Sequence, residues 1–261
     1  MKLKKLILLD IFSYSCMNCL RSLNFIKKID TKYKKYGLET ILIHPPEWEF
    51  EKNKKNVSFA VKKYIIKFPI IIDKDKKIIK KLKINFWPSQ ILIKDGKILY
   101  KHIGEGNYKV LEENIIKFLK TENNISIKNF NRRLKFCNYT NFPTIYCGKR
   151  KNDGISNLKP KLKFGTVYKS GKWIQKNEYI KSIGKENSLT LLTNGKIINF
   201  VAESLTKNPI RVTIKINDKF MKDITVKKPQ LYKIVKLKNS GQKKLTLIAK
   251  NGLKIYSFSF E

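Results

Sequence analysis

The sequence has 261 residues, of which 42% are hydrophobic and 11% aromatic, and its formal net charge at pH 7 is +37. A disordered chain of high net charge carries far fewer apolar residues, so the composition predicts folded domains, and the length favours two of them. No run of about 18 apolar residues occurs, which argues against a transmembrane helix.

The positive charge could indicate a nucleic-acid partner, because clustered cations release counterions from phosphates. Only five of the 57 basic residues are arginines, however, and the lysines are spread from end to end. This pattern predicts no specific nucleic-acid partner. It does predict a weak adhesion to polyanions that salt would screen.

The first nine residues combine lysines with a short apolar run, a pattern that secretion signals share. Asp10 interrupts that run, and a first β-strand accounts better for the same residues. We therefore expect no signal peptide, which favours a cytoplasmic location.

The first 122 residues alternate strand and helix patterns, which predicts an α/β domain with a central sheet flanked by helices. Strands are expected at residues 6–12, 38–44, 68–72, 90–93 and 97–102, and helices at about 19–29, 56–67, 78–82 and 108–120. Asp95-Gly96 between the last two strands predicts a hairpin turn.

Residues 123–142 are rich in Asn and Lys and predict a linker. Residues 143–261 contain short β-rich runs separated by turn signals such as Asn194-Gly195 and Asn251-Gly252. The runs are 161–168, 188–192, 196–202, 210–216, 223–226, 231–237, 244–249 and 254–260. This pattern predicts an all-β sandwich or jelly roll.

Cys16-Met17-Asn18-Cys19 lies where the first strand meets the first helix. A sulfur at a helix N-terminus is favoured as the thiolate, and a second sulfur three residues later can reach a mixed disulfide formed by the first. The spacing therefore predicts Cys16 as the nucleophile and Cys19 as the resolving thiol of a redox disulfide.

A metal site is the main alternative for this cysteine pair. Zinc is disfavoured because Cys137 and Cys147 lie ten residues apart and the histidines are only His44 and His102. Copper held by the two thiols remains an alternative. We predict no resident metal and no cofactor beyond an external electron donor or acceptor.

Asp10 is an acid within an otherwise apolar strand, which is costly unless the acid has a task. Burial would raise its pKa and allow it to exchange a proton with Cys19, so Asp10 is predicted as a catalytic proton relay. A satisfied structural aspartate is the alternative.

Several further residues are candidates for contact with the substrate. Trp87-Pro88 opens the strand before the hairpin, and a proline there can hold a cis peptide bond. Glu47 lies three residues after His44, at the end of the second strand and the edge where open α/β sheets gather their sites. Glu105 follows the hairpin and could approach the cysteines, although both acids could also belong to plain surface loops.

These residues resemble the thioredoxin superfamily, and within it the TlpA/DipZ-type branch. The branch motif reads here Phe12-Ser13-Tyr14-Ser15-Cys16-Met17-Asn18-Cys19-Leu20-Arg21, and Tyr14 joins the predicted substrate-binding residues on this ground. The segments His44-Pro45-Pro46-Glu47, Phe86-Trp87-Pro88 and His102-Ile103-Gly104-Glu105-Gly106 also match the branch pattern.

The resemblance implies a thioredoxin-like domain followed by a carbohydrate-binding-module-like β-sandwich, because Tyr146-Cys147-Gly148-Lys149-Arg150 fits the branch motif that opens the second domain. The resemblance also implies a location in the cell envelope, whereas the expected lack of a signal peptide favours the cytoplasm. Cys147 replaces the usual Leu of that motif and favours a buried apolar role, with pairing to Cys137 left open.

We therefore expect a thiol-disulfide oxidoreductase acting on a disulfide-bearing protein or a small-molecule disulfide. The alternative is a non-catalytic binding protein, in which the β-sandwich binds a glycan or a protein, or the cysteines carry copper. A thiol peroxidase is disfavoured because Ser13 stands where a peroxiredoxin has Thr.

Overall fold

A computed structural model describes residues 5–123, 143–151, 154–206 and 208–261. The chain divides into two compact units, Met1–Leu134 and Lys135–Glu261. The predicted linker lies outside the described residues except for its first position, and so does Cys137. The predicted domain limits at 122 and 143 and the pairing of Cys137 therefore stay predictions.

The first unit alternates strands with helices, as the sequence predicts. Its elements are β1 (Leu6–Ile11), α1 (Met17–Tyr33), β2 (Leu38–His44), α2 (Lys54–Lys63), β3 (Ile70–Ile72), α3 (Lys77–Lys81), β4 (Ser89–Lys94), β5 (Lys97–Ile103) and α4 (Tyr108–Asn123), with 3-10 turns at Lys34–Tyr36 and Glu49–Lys52. The five strands form a sheet in the order β3-β2-β1-β4-β5. β1 runs parallel to β2 and antiparallel to β4, so the sheet is mixed.

The central strand β1 sends its side chains alternately into two cores. Leu6 and Leu8 belong to the core that also contains apolar residues of α1, α2 and α4. Ile11 belongs to the core on the other face, where Ile79 of α3 packs. Both faces of β1 are therefore covered, and by the same alternation Asp10 lies on the face that carries α1.

The second unit consists almost entirely of strands, which confirms the all-β prediction. They are β6 (Ile145–Tyr146), β7 (Ile155–Asn157), β8 (Val167–Gln175), β9 (Ile180–Thr193), β10 (Ile197–Ser204), β11 (Ile210–Ile216), β12 (Lys219–Val226), β13 (Gln230–Lys236), β14 (Lys243–Ala249) and β15 (Leu253–Phe260). Neighbouring strands are antiparallel except for the β7–β8 pair.

The long strand β9 joins two parts of this sheet. Its first residues, from Ile180, pair with β15, whereas residues 187–193 pair with β14. The strand order is β12-β11-β14-β9-β15-β10-β13, and residues from all seven of these strands contribute to or pack against one core. The sheet thus curves around a shared interior in a nearly barrel-like manner.

Two sequence predictions in this unit need correction. The predicted strand at 161–168 begins only at Val167 and continues to Gln175, and β9 starts eight residues before the run predicted at 188–192. The missed stretches carry exposed polar residues such as Lys172 and Lys185. Their strand conformation comes from pairing with each other, which local composition does not reveal.

Among the described residues, none of the helices combines the length and the apolar character needed to cross a membrane.

The segment after β6 packs closely on the turn between β8 and β9. The backbone N–H of Lys149 donates to the carbonyl of Lys176 at 2.8 Å, and that of Arg150 donates to Asn177 at 2.9 Å. A Cβ atom at Gly148 would lie 2.3 Å from the Asn177 carbonyl oxygen. Only glycine fits this approach, because the obstruction is backbone that no rotamer change can move.

We expect Gly148→Ala to lower the melting temperature of the full chain, since overpacking typically costs about 1–3 kcal/mol. Thermal unfolding followed by circular dichroism measures the change. Lys176→Ala is the matched control, because it removes an exposed side chain of the same turn and keeps the backbone. Equal melting temperatures for the two variants would contradict this account of Gly148.

Candidate active site

The cysteine pair lies at the junction between β1 and α1. Cys16 is the N-cap residue of α1, in extended conformation, and its sulfur accepts the backbone N–H of Cys19 at 3.4 Å. The Cys16 carbonyl accepts the Leu20 N–H at 3.0 Å, which begins the helical hydrogen bonds. Cys16 is partly exposed and Cys19 is 0% exposed. Of the two cysteines, only Cys16 therefore reaches the surface.

The environment of Cys19 favours its protonated form. Burial raises the pKa of the Cys19 thiol well above its ordinary value, and the hydrogen bond and charge of Cys16 raise it further. A backbone hydrogen bond from Ser13 lowers this pKa, and the charge of Asp10 raises it. The two sulfurs thus differ in access, and burial disfavours the thiolate of Cys19.

Asp10 lies under α1 and is 0% exposed. Burial raises the pKa of its carboxyl from 3.8 to about 7, although a hydrogen bond from Gln90 opposes the shift. The Gln90 Nε2 donates to Asp10 Oδ1 at 2.8 Å, and it also lies 3.4 Å from the Ser22 Oγ. The other carboxyl oxygen, Oδ2, has no hydrogen-bond partner among the residues that the structure describes.

The Trp87-Pro88 peptide bond is cis, and it lies beside the first cysteine. The Trp87 carbonyl oxygen is 3.9 Å from the Cys16 sulfur, and the Trp87 indole N–H donates to Glu47 Oε2 at 3.3 Å. The Pro88 carbonyl accepts the Gly104 N–H at 2.9 Å. Pro88 itself is buried, so Trp87 is the part of this pair that reaches the surface.

Glu105 forms an ion pair with α1. The Arg21 guanidinium donates to both Glu105 carboxylate oxygens, at 2.8 and 2.7 Å, and its Nη2 also donates to Asn18 Oδ1 at 2.7 Å. The sequence indicates that Glu105 could approach the cysteines, and the structure connects its carboxylate through Arg21 to Asn18, the residue before Cys19. The Glu105 carboxylate is thus engaged within the protein.

The predicted substrate contact of Tyr14 needs correction. Tyr14 is only 1% exposed, and its ring packs on His44 at 5.5 Å and on Phe50 at 6.1 Å between centroids. His44 is buried as well, with its Nδ1 2.8 Å from the Phe12 carbonyl oxygen. The motif places Tyr14 next to the cysteine loop in sequence, but the ring points into the core.

Sequence reasoning missed Glu51, a buried acid next to the cysteine loop. Its Oε1 accepts the hydroxyls of Ser13 at 2.8 Å and Ser15 at 2.6 Å, and its Oε2 accepts the Glu47 backbone N–H at 2.6 Å. The rule applied to Asp10, that a buried acid is costly unless it has a task, covers Glu51 too. The sequence offered no sign that residue 51 would be buried.

No group of three or more His, Cys, Asp or Glu side chains in the described part of the chain could hold a metal ion.

The comparisons with known proteins match both units. Residues 1–117 match the family model described as Redoxin, and residues 150–260 match the model described as thioredoxin like C-terminal domain. The first unit therefore has the thioredoxin-like fold that its mixed sheet and helices display.

Three curated relatives illustrate the similarity. DipZ of Mycobacterium tuberculosis is 34% identical over 109 residues, which cover 41% of this chain and 16% of DipZ. Thiol-disulfide oxidoreductase ResA of Bacillus cereus is 35% identical over 107 residues, covering 41% of this chain and 59% of ResA. NHL repeat-containing protein 2 of Gallus gallus is 26% identical over 236 residues, covering 84% of this chain and 30% of that protein. The chain spans less than two thirds of each.

The raised pKa of Asp10 gives a prediction for stability. Because the folded chain holds a proton that the unfolded chain releases between about pH 4 and pH 7, the cost of the buried carboxylate grows as pH rises through this window. A shift of about three pKa units corresponds to at most about 4 kcal/mol in the free energy of unfolding. We expect the melting temperature of Asp10→Asn, measured relative to that of the wild type, to be higher at pH 8 than at pH 4.

Thermal unfolding of the full chain at both pH values measures this difference, with Asp75→Asn, an exposed acid, as the matched control. A difference between Asp10→Asn and wild type that is the same at pH 4 and pH 8 would show that Asp10 titrates alike in both states.

Proposed function

We propose that this chain, with its Redoxin segment and thioredoxin-like C-terminal segment, is a thiol-disulfide oxidoreductase. The observation that carries the proposal is the pairing of a reachable sulfur with a buried one. Cys16 lies partly exposed at the N-terminus of α1, and Cys19 lies fully buried beside it, above the acid Asp10. The relative named thiol-disulfide oxidoreductase ResA supports the same class of activity.

In the first step the Cys16 thiolate attacks one sulfur of a substrate disulfide. A mixed disulfide forms and the substrate releases its other sulfur as a thiolate. The attacking sulfur lies at the N-terminus of α1, where the Cys19 N–H donates to it at 3.4 Å and the helix dipole attracts negative charge. Trp87, whose carbonyl lies against the Cys16 sulfur, is proposed to form the rim of the substrate groove with Glu47, and the buried Pro88 is proposed to shape the groove from beneath.

In the second step Cys19 resolves the mixed disulfide. Its thiol must first lose a proton, and the ionised carboxylate of Asp10 is the proposed acceptor, since its pKa of about 7 lets both forms exist near neutral pH. The Cys19 thiolate then attacks the Cys16 sulfur and expels the second substrate thiolate. The substrate gains two electrons, the protein keeps a Cys16–Cys19 disulfide, and an external dithiol donor restores the starting state.

The proposed partner is a disulfide-bearing protein or a small-molecule disulfide. The glycan or protein ligand predicted for the second unit and the location in the cell envelope stay predictions.

We expect the wild type to catalyse reduction of insulin disulfides by dithiothreitol and Cys16→Ser to show no catalysis, because the attacking sulfur is gone. Cys19→Ser should accumulate a mixed disulfide between Cys16 and the substrate, visible as a mass adduct. Cys147→Ala, which removes a buried sulfur of the second unit, is the matched control and should turn over at the wild-type rate. Wild-type turnover by Cys16→Ser would refute the mechanism.

A further inference from the structure

Glu51 is a fully buried carboxylate that the two chemical steps do not use. A buried carboxylate is costly unless donors surround it. Glu51 has three: the hydroxyls of Ser13 and Ser15 and the backbone N–H of Glu47. Both serines are themselves buried. We refer to this arrangement of Glu51 with Ser13, Ser15 and Glu47 as the Glu51 clamp.

The clamp connects two segments that are far apart in sequence. Ser13 and Ser15 belong to the loop between β1 and α1, whereas Glu51 lies in the 3-10 turn Glu49–Lys52 that follows β2. Hydrogen bonds to a charged acceptor are stronger than neutral ones, and a buried network loses much of its value when one member is removed. The loop that leads into Cys16 is thus fixed from outside its own strand and helix.

Ser13 passes this constraint on to both cysteines. Its carbonyl oxygen accepts the Cys16 N–H at 3.2 Å, and its backbone hydrogen bond lowers the pKa of the Cys19 thiol. A displacement of Ser13 would therefore alter the capping position of Cys16 and remove the donor that faces the Cys19 sulfur. Glu51 has no exposed surface and cannot touch a substrate.

We propose that Glu51 is a positioning residue of the thiol site: by holding Ser13 and Ser15 it keeps Cys16 at the helix N-terminus and Cys19 beneath it. This inference rests on the proposed oxidoreductase function. It predicts that loss of Glu51 slows the chemical steps more than it weakens substrate binding.

The test compares Glu51→Ala, Glu51→Gln and wild type in the full chain, using insulin reduction and the rate at which iodoacetamide alkylates Cys16. In Glu51→Ala we expect kcat and the alkylation rate to fall roughly tenfold or more, as displaced reacting groups do, with a smaller change in KM because the clamp also holds Glu47. Glu51→Gln should recover part of the loss, because its amide oxygen can still accept both serine hydroxyls. Glu49→Gln, an exposed acid of the same turn, is the matched control.

A purely structural role would lower the melting temperature of Glu51→Ala and leave kcat and the alkylation rate of the folded protein at wild-type values, which would overturn the proposal. If Glu51→Ala does not fold, Ser15→Ala removes one hydrogen bond of the clamp instead; unchanged alkylation in that variant would also overturn it. A wild type that alkylates at Cys16 but does not reduce insulin would refute the proposed function alone, and the alkylation rates would still decide on the clamp.

Discussion

The site depends on where the central strand places one carboxyl group. Side chains alternate along β1, so Asp10 shares the face of Leu6 and Leu8 and lies beneath α1. Asp10 is 0% exposed, and burial raises its pKa to about 7. The same acid one position earlier or later would face the opposite core, away from the cysteines. The alternation of side chains along β1, rather than sequence distance alone, thus places the proposed proton acceptor on the face that carries α1.

The cysteine loop is held by contacts that come from other parts of the first unit. The Glu51 carboxylate binds the loop before Cys16, and Glu105 binds Arg21 in the first turns of α1. Gln90 donates to Asp10 from the strand paired with β1. The proposed nucleophile must stay partly exposed, and these polar contacts hold the surroundings of Cys16 without covering it.

Much of this site could be predicted because its chemistry lies within a short stretch of sequence. Asp10, Cys16 and Cys19 lie on one strand and at the start of the helix that follows it, so local structure sets their relative positions. Gln90 and Glu51 could not be found in the same way. Asp10 and Gln90 are 80 residues apart and meet only because β1 and β4 pair in one register. Tyr14 is the opposite case, a predicted substrate contact whose ring is buried. A sequence motif does not show whether a side chain points to the surface or into the core.

In the second unit, too, some strands could be predicted from the sequence and others could not. Strands with regular apolar alternation, such as β11 and β14, were predicted nearly to their ends. Strand β8 and the first half of β9 were not, because their polar residues become strand only through pairing across the bulge between Gly171 and Lys172. Patterns that depend on burial are visible in sequence, whereas those that depend on a neighbouring strand are not.

The central claim is that Cys16 and Cys19 form one reversible redox pair. Equilibration of the full chain with mixtures of reduced and oxidised glutathione, followed by acid quenching and mass spectrometry, measures it directly. We expect a single two-electron transition in which the oxidised protein carries a disulfide between Cys16 and Cys19. A chain that ends with glutathione on Cys16 and a free Cys19 would contradict it.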